Sequence, residues 1–330
     1  MVEVGILGAT GMVGQRFVQL LENHPQFELR QVFASERSRG RKLEELWRLG
    51  EFPEYARGME VEGVSESNVE VIFSALPGKI SREMEGSLLE RGVFVFSNSS
   101  GFRMEPDVPL VIPEVNPEHL ALLGKQLYNG KIVTNPNCSA IMFAIALKPL
   151  QQFGIERVFV TTLQAISGAG FGGVPGIDGN VIPNIGGEEE KLETETLKIL
   201  GELDGNSIRN ADFQISAQCN RVPVQDGHTE CLTVFLDGNP EVSEVAGAMN
   251  SFRGAPQELG LHSAPERVIR VLEDEFSPQP AQDLDGMSVA VGRIRKGVGY
   301  NMVILGHNTI RGAAGASILN AELALERGFI

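Results

Sequence analysis

Val2-Glu-Val-Gly-Ile-Leu7-Gly8-Ala-Thr-Gly11-Met-Val-Gly14-Gln-Arg-Phe-Val-Gln-Leu-Leu-Glu22 decides the fold. Its opening six residues read as a buried strand, and from Gln15 the apolar positions recur at helical spacing. Strand, glycine-rich turn and helix in direct succession form the context in which a glycine motif points to a dinucleotide. Glycines permit the tight turn and let the backbone approach a pyrophosphate, which the helix N-terminus attracts. An ordinary βα turn is the plain alternative.

Working outward, the second strand, Glu28 to Phe33, ends at Ala34-Ser-Glu-Arg-Ser-Arg-Gly-Arg-Lys42. An acidic residue here suits the ribose 2′-hydroxyl of NAD, whereas arginines and hydroxyls suit the 2′-phosphate of NADP. Four cations and two serines in nine residues favour NADP. Glu36 fits the ribose instead, and a solvated basic loop is the competing reading for Arg39, Arg41 and Lys42. Further strands are expected at Val69 to Ala75 and Val93 to Phe96, separated by a helix reaching about Arg91. The polar loop Ser97-Asn-Ser-Ser-Gly-Phe-Arg103 follows at the C-terminal edge of the sheet. Open α/β sheets gather ligands there, so Arg103 is a candidate anion contact. Residues 1–134 thus read as a doubly wound, Rossmann-type nucleotide-binding domain.

A strand-like Lys131-Ile-Val-Thr134 leads into Asn135-Pro-Asn-Cys138-Ser139, and an apolar run to Lys148-Pro149 leaves it. Cys138 is expected in the first turn of a buried helix capped by Asn137 or Ser139. Helix N-termini lower a thiol's pKa, and the thiolate is the nucleophile. A core cysteine is the bland reading.

From Ile155 the pattern shifts to long strand-like runs: Ile155 to Ala165, Phe213 to Val224, Thr229 to Leu236, Ser288 to Arg295 and Tyr300 to Leu305. A glycine-rich loop (Ser167 to Gly187) and helices near Glu188 to Leu203 and Glu241 to Phe252 lie between them. This predicts an α+β domain on an antiparallel or mixed sheet, of a kind that often pairs across subunits. The small-residue segment from Thr309 to Leu325 is expected to be a helix returning to the nucleotide domain. The expected division is 1–134 with 307–330, and 135–306 as the catalytic and dimerisation domain.

Composition narrows the class. A hydrophobic content of 42%, a charged content of 22% and 38 glycines fit a soluble α/β enzyme. No stretch approaches the roughly 20 apolar residues of a membrane span, and Met1 runs directly into a strand without a signal peptide. Three scattered cysteines without CxxC spacing fit a reducing cytoplasm. No metal-ligand spacing occurs. A net charge of −15 argues against nucleic acid and anionic membranes as partners.

Arg221-Val-Pro-Val-Gln-Asp-Gly-His228 sets a histidine at a sheet mouth with a guanidinium seven residues earlier. A histidine near neutral pKa takes a thiol's proton and later returns one to a departing oxygen, and a Cys–His pair need not be close in sequence. A partnerless turn histidine is the alternative. Gln164 reads as a strand-end amide able to orient a small substrate.

These pieces, with Gln164-Ala-Ile-Ser-Gly-Ala-Gly170, Glu188-Glu-Glu-Lys191 and Glu195-Thr-Leu-Lys-Ile-Leu200, resemble in order the aspartate-β-semialdehyde dehydrogenases, and their archaeal and fungal branch in particular. The resemblance spans nearly the whole chain. It implies Cys138 as nucleophile, His228 as acid/base, and Asn137 and Gln164 as positioners of substrate and thioacyl intermediate. Arg221 would take the substrate α-carboxylate, and Glu188 (or, one residue on, Glu189) its α-ammonium. Arg103 and Lys191 would take phosphate. The loop of Gly8, Thr10, Gly11, Met12, Val13 and Gly14, with Ser35, Arg37 and Ser38, would hold NADP, and Ser167, Gly168 and Asn308 would lie nearer its nicotinamide. It further implies aspartyl phosphate or aspartate semialdehyde as substrate, a role in lysine, threonine and methionine biosynthesis, and a homodimer or homotetramer. Ala140 departs from the threonine many relatives carry. Related readings are malonyl-CoA reductase, N-acetylglutamyl-phosphate reductase (which typically has Pro-Gly-Cys) and a non-catalytic NADPH sensor with Cys138 as redox switch.

Overall fold

A computed structural model describes residues Met1 to Ile330. The deciding stretch forms β1 (Val2–Leu7) and α1 (Met12–Leu20). It is followed by β2 (Phe27–Phe33), β3 (Val61–Glu62), β4 (Val71–Ser74), α2 (Gly78–Glu90), β5 (Phe94–Ser97) and β6 (Lys131–Thr134). These six strands make one parallel sheet in the order β3-β2-β1-β4-β5-β6. The order reverses between β1 and β4, so a crevice opens above their C-terminal ends. Interior strands such as β4 and β5 are buried throughout, as a sheet covered on both faces requires.

Two glycines fix the turn at that crevice. Gly8 has a φ of +87°, and a Cβ there would stand 2.7 Å from the Ala75 carbonyl oxygen. A Cβ on Gly14 would stand 2.1 Å from the Gly8 carbonyl oxygen, so α1 can approach β1 only without a side chain.

α3 (Cys138–Leu147) is apolar on every side and buried along its length, the pattern of a helix enclosed between layers. The second sheet comprises β7 (Ile155–Gln164), β10 (Gln214–Arg221), β11 (His228–Leu236), β12 (Ile269–Leu272), β13 (Val289–Lys296) and β14 (Tyr300–Gly306). A small hairpin, β8 (Glu202–Asp204) with β9 (Ser207–Arg209), stands apart. The order is β10-β7-β11-β14-β13-β12, parallel at both outer junctions and antiparallel between, so the sheet is mixed. One face packs on α3, α4 (Glu188–Ile199) and α5 (Val242–Asn250) in a common apolar core. Short helices α6 (Ala255–Leu259) and α7 (Pro280–Asp283) lead on to a π-helical turn, Ile310–Ala314, and α8 (Gly315–Glu326). Ile318, Leu319 and Leu323 of α8 share a core with Val4, Phe17 and Phe73. No helix is long and apolar enough to cross a membrane.

The Gly8 geometry gives a direct test: Gly8→Ala combines a left-handed backbone with a clash against main chain. It is expected to lower unfolding stability by more than about 2 kcal/mol, read as the midpoint shift in urea denaturation.

Candidate active site

Cys138 opens α3, and the residue before it caps the helix. Asn137 Oδ1 accepts from the backbone N–H of Ser139 (3.0 Å) and of Ala140 (3.4 Å), a cap worth about 1 kcal/mol. Of the two caps the sequence allowed, Asn137 is the one in place.

His228, ninety residues on, starts β11 and brings Nε2 to 3.3 Å from the Cys138 Sγ. Its other ring nitrogen, Nδ1, accepts the Ala165 backbone N–H at 3.0 Å. That contact requires a lone pair on Nδ1, so the ring proton sits on Nε2 and points at sulfur. Burial, with Arg221 and His307 nearby, pushes the imidazole down to about 3. Burial, then the Glu188 charge, pushes the thiol up to about 12 against the opposing pull of the Ser139 N–H, Arg221 and Arg103. Both shifts favour the neutral thiol and neutral imidazole, the push on the thiol being the weaker of the two because Cys138 is part-exposed where it lines the cleft. Sequence reasoning gave His228 both halves of acid/base work; the geometry supports the donor half, because accepting at Nε2 needs the tautomer that the Ala165 N–H opposes.

The polar groups around this pair form a connected set. Arg221, at the end of β10, donates from Nη1 to the Ala165 carbonyl at 2.6 Å. The backbone of one residue thus orients both the imidazole and the guanidinium. A Cβ on Gly168 would stand 2.7 Å from Arg221 Nη1 and 3.2 Å from His228 Cε1, so Gly168 borders these two side chains as well as the cleft. Glu188 Oε2 accepts from Asn137 Nδ2 (2.9 Å) and Gln164 Nε2 (3.4 Å), while Oε1 meets Lys191 Nζ at 2.8 Å. These donors hold the Glu188 carboxyl below its ordinary value despite its burial. Glu189 turns away and accepts the Cys219 backbone N–H at 3.0 Å. Of the two registers left open by the sequence, the geometry favours Glu188.

A cavity of about 470 Å³ runs from the glycine turn to the thiol. Gly11, Met12 and Val13 line one end, and Arg103, Asn137, Cys138, Ser167, Gly168 and Asn308 the other. Asn308 is fixed there by bonds to Ser167 Oγ (2.9 Å) and the Gly227 N–H (3.0 Å). The position a Gly11 Cβ would take has only the Gly8 oxygen, at 3.4 Å, nearby, so the backbone lies open to a ligand. Gly8, Thr10 and Gly14 sit behind this wall and shape it, while Ser35, Arg37 and Ser38 lie beyond it, at the end of β2. In that loop Arg39 is engaged by Glu66 and Glu36, and Arg41 by Glu45. Arg37 has no carboxylate partner and remains available to an anion.

Sequence reading missed several groups. Glu195 accepts the Asn137 N–H, Lys198 holds the Arg103 loop, and Gly312 must lack a side chain because a Cβ there would stand 2.7 Å from Cys138 Cβ. The π-helical turn carrying Gly312 is locked by a fully buried bidentate pair, Arg311 to Glu114, at 2.8 and 2.6 Å. Such pairing partners are far apart in the chain, and only the three- and four-residue spacing of Glu188, Lys191, Glu195 and Lys198 hinted at a common helix face.

Fold and cleft together define a class, the two-domain α/β dehydrogenases that carry a cysteine at the cleft. Family models for the semialdehyde dehydrogenase NAD-binding domain and the semialdehyde dehydrogenase dimerisation domain match residues 3–123 and 147–311. Aspartate-semialdehyde dehydrogenase of Methanothermobacter thermautotrophicus is 53% identical, covering 99% of each chain, and that of Archaeoglobus fulgidus 50%, again over 99% of each. The crystal structure of the Candida albicans aspartate semialdehyde dehydrogenase with NADP superposes with a TM-score of 0.92 at 40% identity over 100% of both chains. The chain belongs to the aspartate-semialdehyde dehydrogenase family, as its motifs anticipated.

The neutral resting pair has a measurable consequence. Iodoacetamide alkylation of Cys138 in the ligand-free enzyme is expected to accelerate about tenfold per pH unit between pH 7 and 9, following the thiolate fraction of a thiol titrating near 12. A rate that levels off near pH 7 would indicate a thiolate–imidazolium pair.

Proposed function

We propose that the chain catalyses the reversible, NADP-dependent reductive dephosphorylation of L-aspartyl-4-phosphate to L-aspartate-4-semialdehyde, through a thioacyl intermediate on Cys138. The observation that carries this reading is the 3.3 Å approach of the Cys138 sulfur to a proton-bearing imidazole nitrogen, at one end of a cavity whose other end is the glycine turn.

In the biosynthetic direction the Cys138 sulfur attacks the acyl carbon, the C–O bond to phosphate breaks, and the thiol proton leaves with the phosphate. The His228 Nε2–H steadies sulfur as its negative charge grows and then faces the oxygen of the reduced thioacyl carbon. Arg221, with one nitrogen committed to Ala165, offers its remaining donors to the substrate α-carboxylate. Glu188 exchanges part of its present shell for the α-ammonium. Arg103 and Lys191 meet the phosphate, and Asn137 and Gln164 hold the acyl oxygen. A zwitterionic substrate needs one charge of each sign, and Arg221 and Glu188 both act on the Cys138 thiol.

NADPH, when bound, would supply the hydride in this direction, and NADP would accept it in the reverse one. The Gly8 to Gly14 turn would hold its pyrophosphate, Ser35, Arg37 and Ser38 its 2′-phosphate, and Ser167, Gly168 and Asn308 its nicotinamide end. The free Arg37 and the Candida albicans structure solved with NADP support that choice.

Residues 1–134 with 307–330 would form the cofactor domain and 135–306 the catalytic and dimerisation domain. The outward face of the second sheet, where Phe159 is 49% exposed and packs edge-on against Phe235, is the surface we assign to a homo-oligomer. Three unpaired cysteines suit a cytoplasmic enzyme of lysine, threonine and methionine synthesis.

The test is spectrophotometric: semialdehyde oxidation with NADP or NAD, with and without phosphate, beside malonyl-CoA reduction. The expected result is phosphate-dependent NADP reduction, lost in Cys138→Ser with NADPH binding retained. Turnover of malonyl-CoA alone would move the assignment to malonyl-CoA reductase. No turnover with intact NADPH binding would favour the sensor.

A further inference from the structure

α4 turns one stripe toward the cleft: Glu188, Lys191, Glu195 and Lys198. The first two belong to the substrate site proposed above, and the last two have no role in it. Yet Glu195 is 2% exposed and Lys198 4%, unlike the solvated face a charged helix normally presents.

Both are directed at Arg103. Glu195 Oε1 accepts from Arg103 Nη1 at 2.9 Å, while Oε2 accepts the Asn137 backbone N–H at 2.6 Å. Lys198 Nζ donates to the carbonyl oxygens of Arg103 (2.7 Å), Glu105 (2.8 Å) and Val108 (3.0 Å), clamping the loop that carries the arginine. Arg103 Nη2 donates to the Asn98 carbonyl at 2.6 Å, and its buried Nε has no partner. The guanidinium is thus fixed on two edges, with a donor left over beside the cavity it lines.

A buried carboxylate–guanidinium pair is a poor device for stability, because desolvation offsets most of the attraction. It is a good device for orientation, since the planar fork accepts a carboxylate in few geometries. Here the same carboxylate also holds the backbone N–H of Asn137, the residue before Cys138, so cation and nucleophile share one reference point.

We propose that Glu195 is a positioning residue for phosphate, setting Arg103 relative to Cys138, with Lys198 fixing the Arg103 main chain. This rests on the functional reading above, in which Arg103 meets phosphate. A residue that merely glued α4 to the loop would lower stability and disturb all substrates alike.

The experiment is steady-state semialdehyde oxidation by the full-length enzyme, varying inorganic phosphate. Glu195→Gln is expected to raise the phosphate KM about tenfold or more, with the KM values for semialdehyde and NADP within about twofold of wild type. In an Arg103→Ala background the same substitution should add no further phosphate effect, because Glu195 acts through Arg103. Should Glu195→Gln fail to fold, Glu195→Asp keeps the charge and shortens the reach, and is expected to raise the phosphate KM selectively and by less. Parallel changes in all three KM values, additivity with Arg103→Ala, or an unchanged phosphate KM would overturn the proposal. A wild-type rate indifferent to phosphate would overturn the functional reading along with it.

Discussion

The backbone of one residue, Ala165, does more than any side chain to set this cleft. Its N–H fixes the His228 tautomer and its carbonyl holds the Arg221 guanidinium. Because β7 pairs with β10 on one side and β11 on the other, the ends of three adjacent strands deliver Gln164, Arg221 and His228 to one place. The opposite wall is the start of α3, where Asn137 caps the helix with its side-chain oxygen, reaches Glu188 with its side-chain nitrogen and gives its own N–H to Glu195. Sulfur and imidazole meet because the strand ends are held by the Ala165 backbone and the helix start by the buried side chains of Asn137, Glu188 and Glu195.

Charge is distributed so that an acidic protein keeps cations where anions must sit. Against a net charge of −15, the cleft gathers Arg103, Arg221 and Lys191, and each is matched locally by a peptide carbonyl or a carboxylate. Glu230, two residues on from His228 and on the same face of β11, is fully buried with neither carboxyl oxygen hydrogen-bonded. Burial pushes its carboxyl well above the usual range. The low dielectric that keeps the resting pair neutral also strengthens its attraction to any charge a substrate brings.

The glycine turn, the capped cysteine helix and the long strands of the second sheet were legible because each follows from local rules: φ above zero, cap chemistry, apolar periodicity. β7, β11 and β14 begin within a residue of where their patterns predicted. Two-residue β3 was too short to carry any pattern, and β12, an edge strand paired only with β13, went unread as well. The alternation of parallel and antiparallel junctions in the second sheet was also hidden, because pairing partners are set by packing across long sequence separations. The segment from Thr309 was expected to be an α-helix throughout, but its first turn is π-helical and carries Arg311, which pairs with Glu114 across 197 residues. Of the residues named from motifs, Ser35, Arg37 and Ser38 lie outside the cavity that Cys138 lines, while Arg103, Asn137, Ser167, Gly168 and Asn308 line it too and His228 meets the Cys138 sulfur. Those that hold them there, Glu195 and Lys198 above all, looked like an ordinary charged helix face, because burial of a charge depends on a partner from elsewhere.

The account turns on Cys138 carrying the acyl group while the phosphate pocket stands ready. Mixing enzyme, semialdehyde and NADP without phosphate, then quenching and mapping peptides by mass spectrometry, tests this directly. The predicted result is one burst equivalent of NADPH and an acyl adduct confined to the Cys138 peptide, discharged when phosphate is added. A burst without an adduct, or an adduct on Cys219 or Cys231, would contradict it.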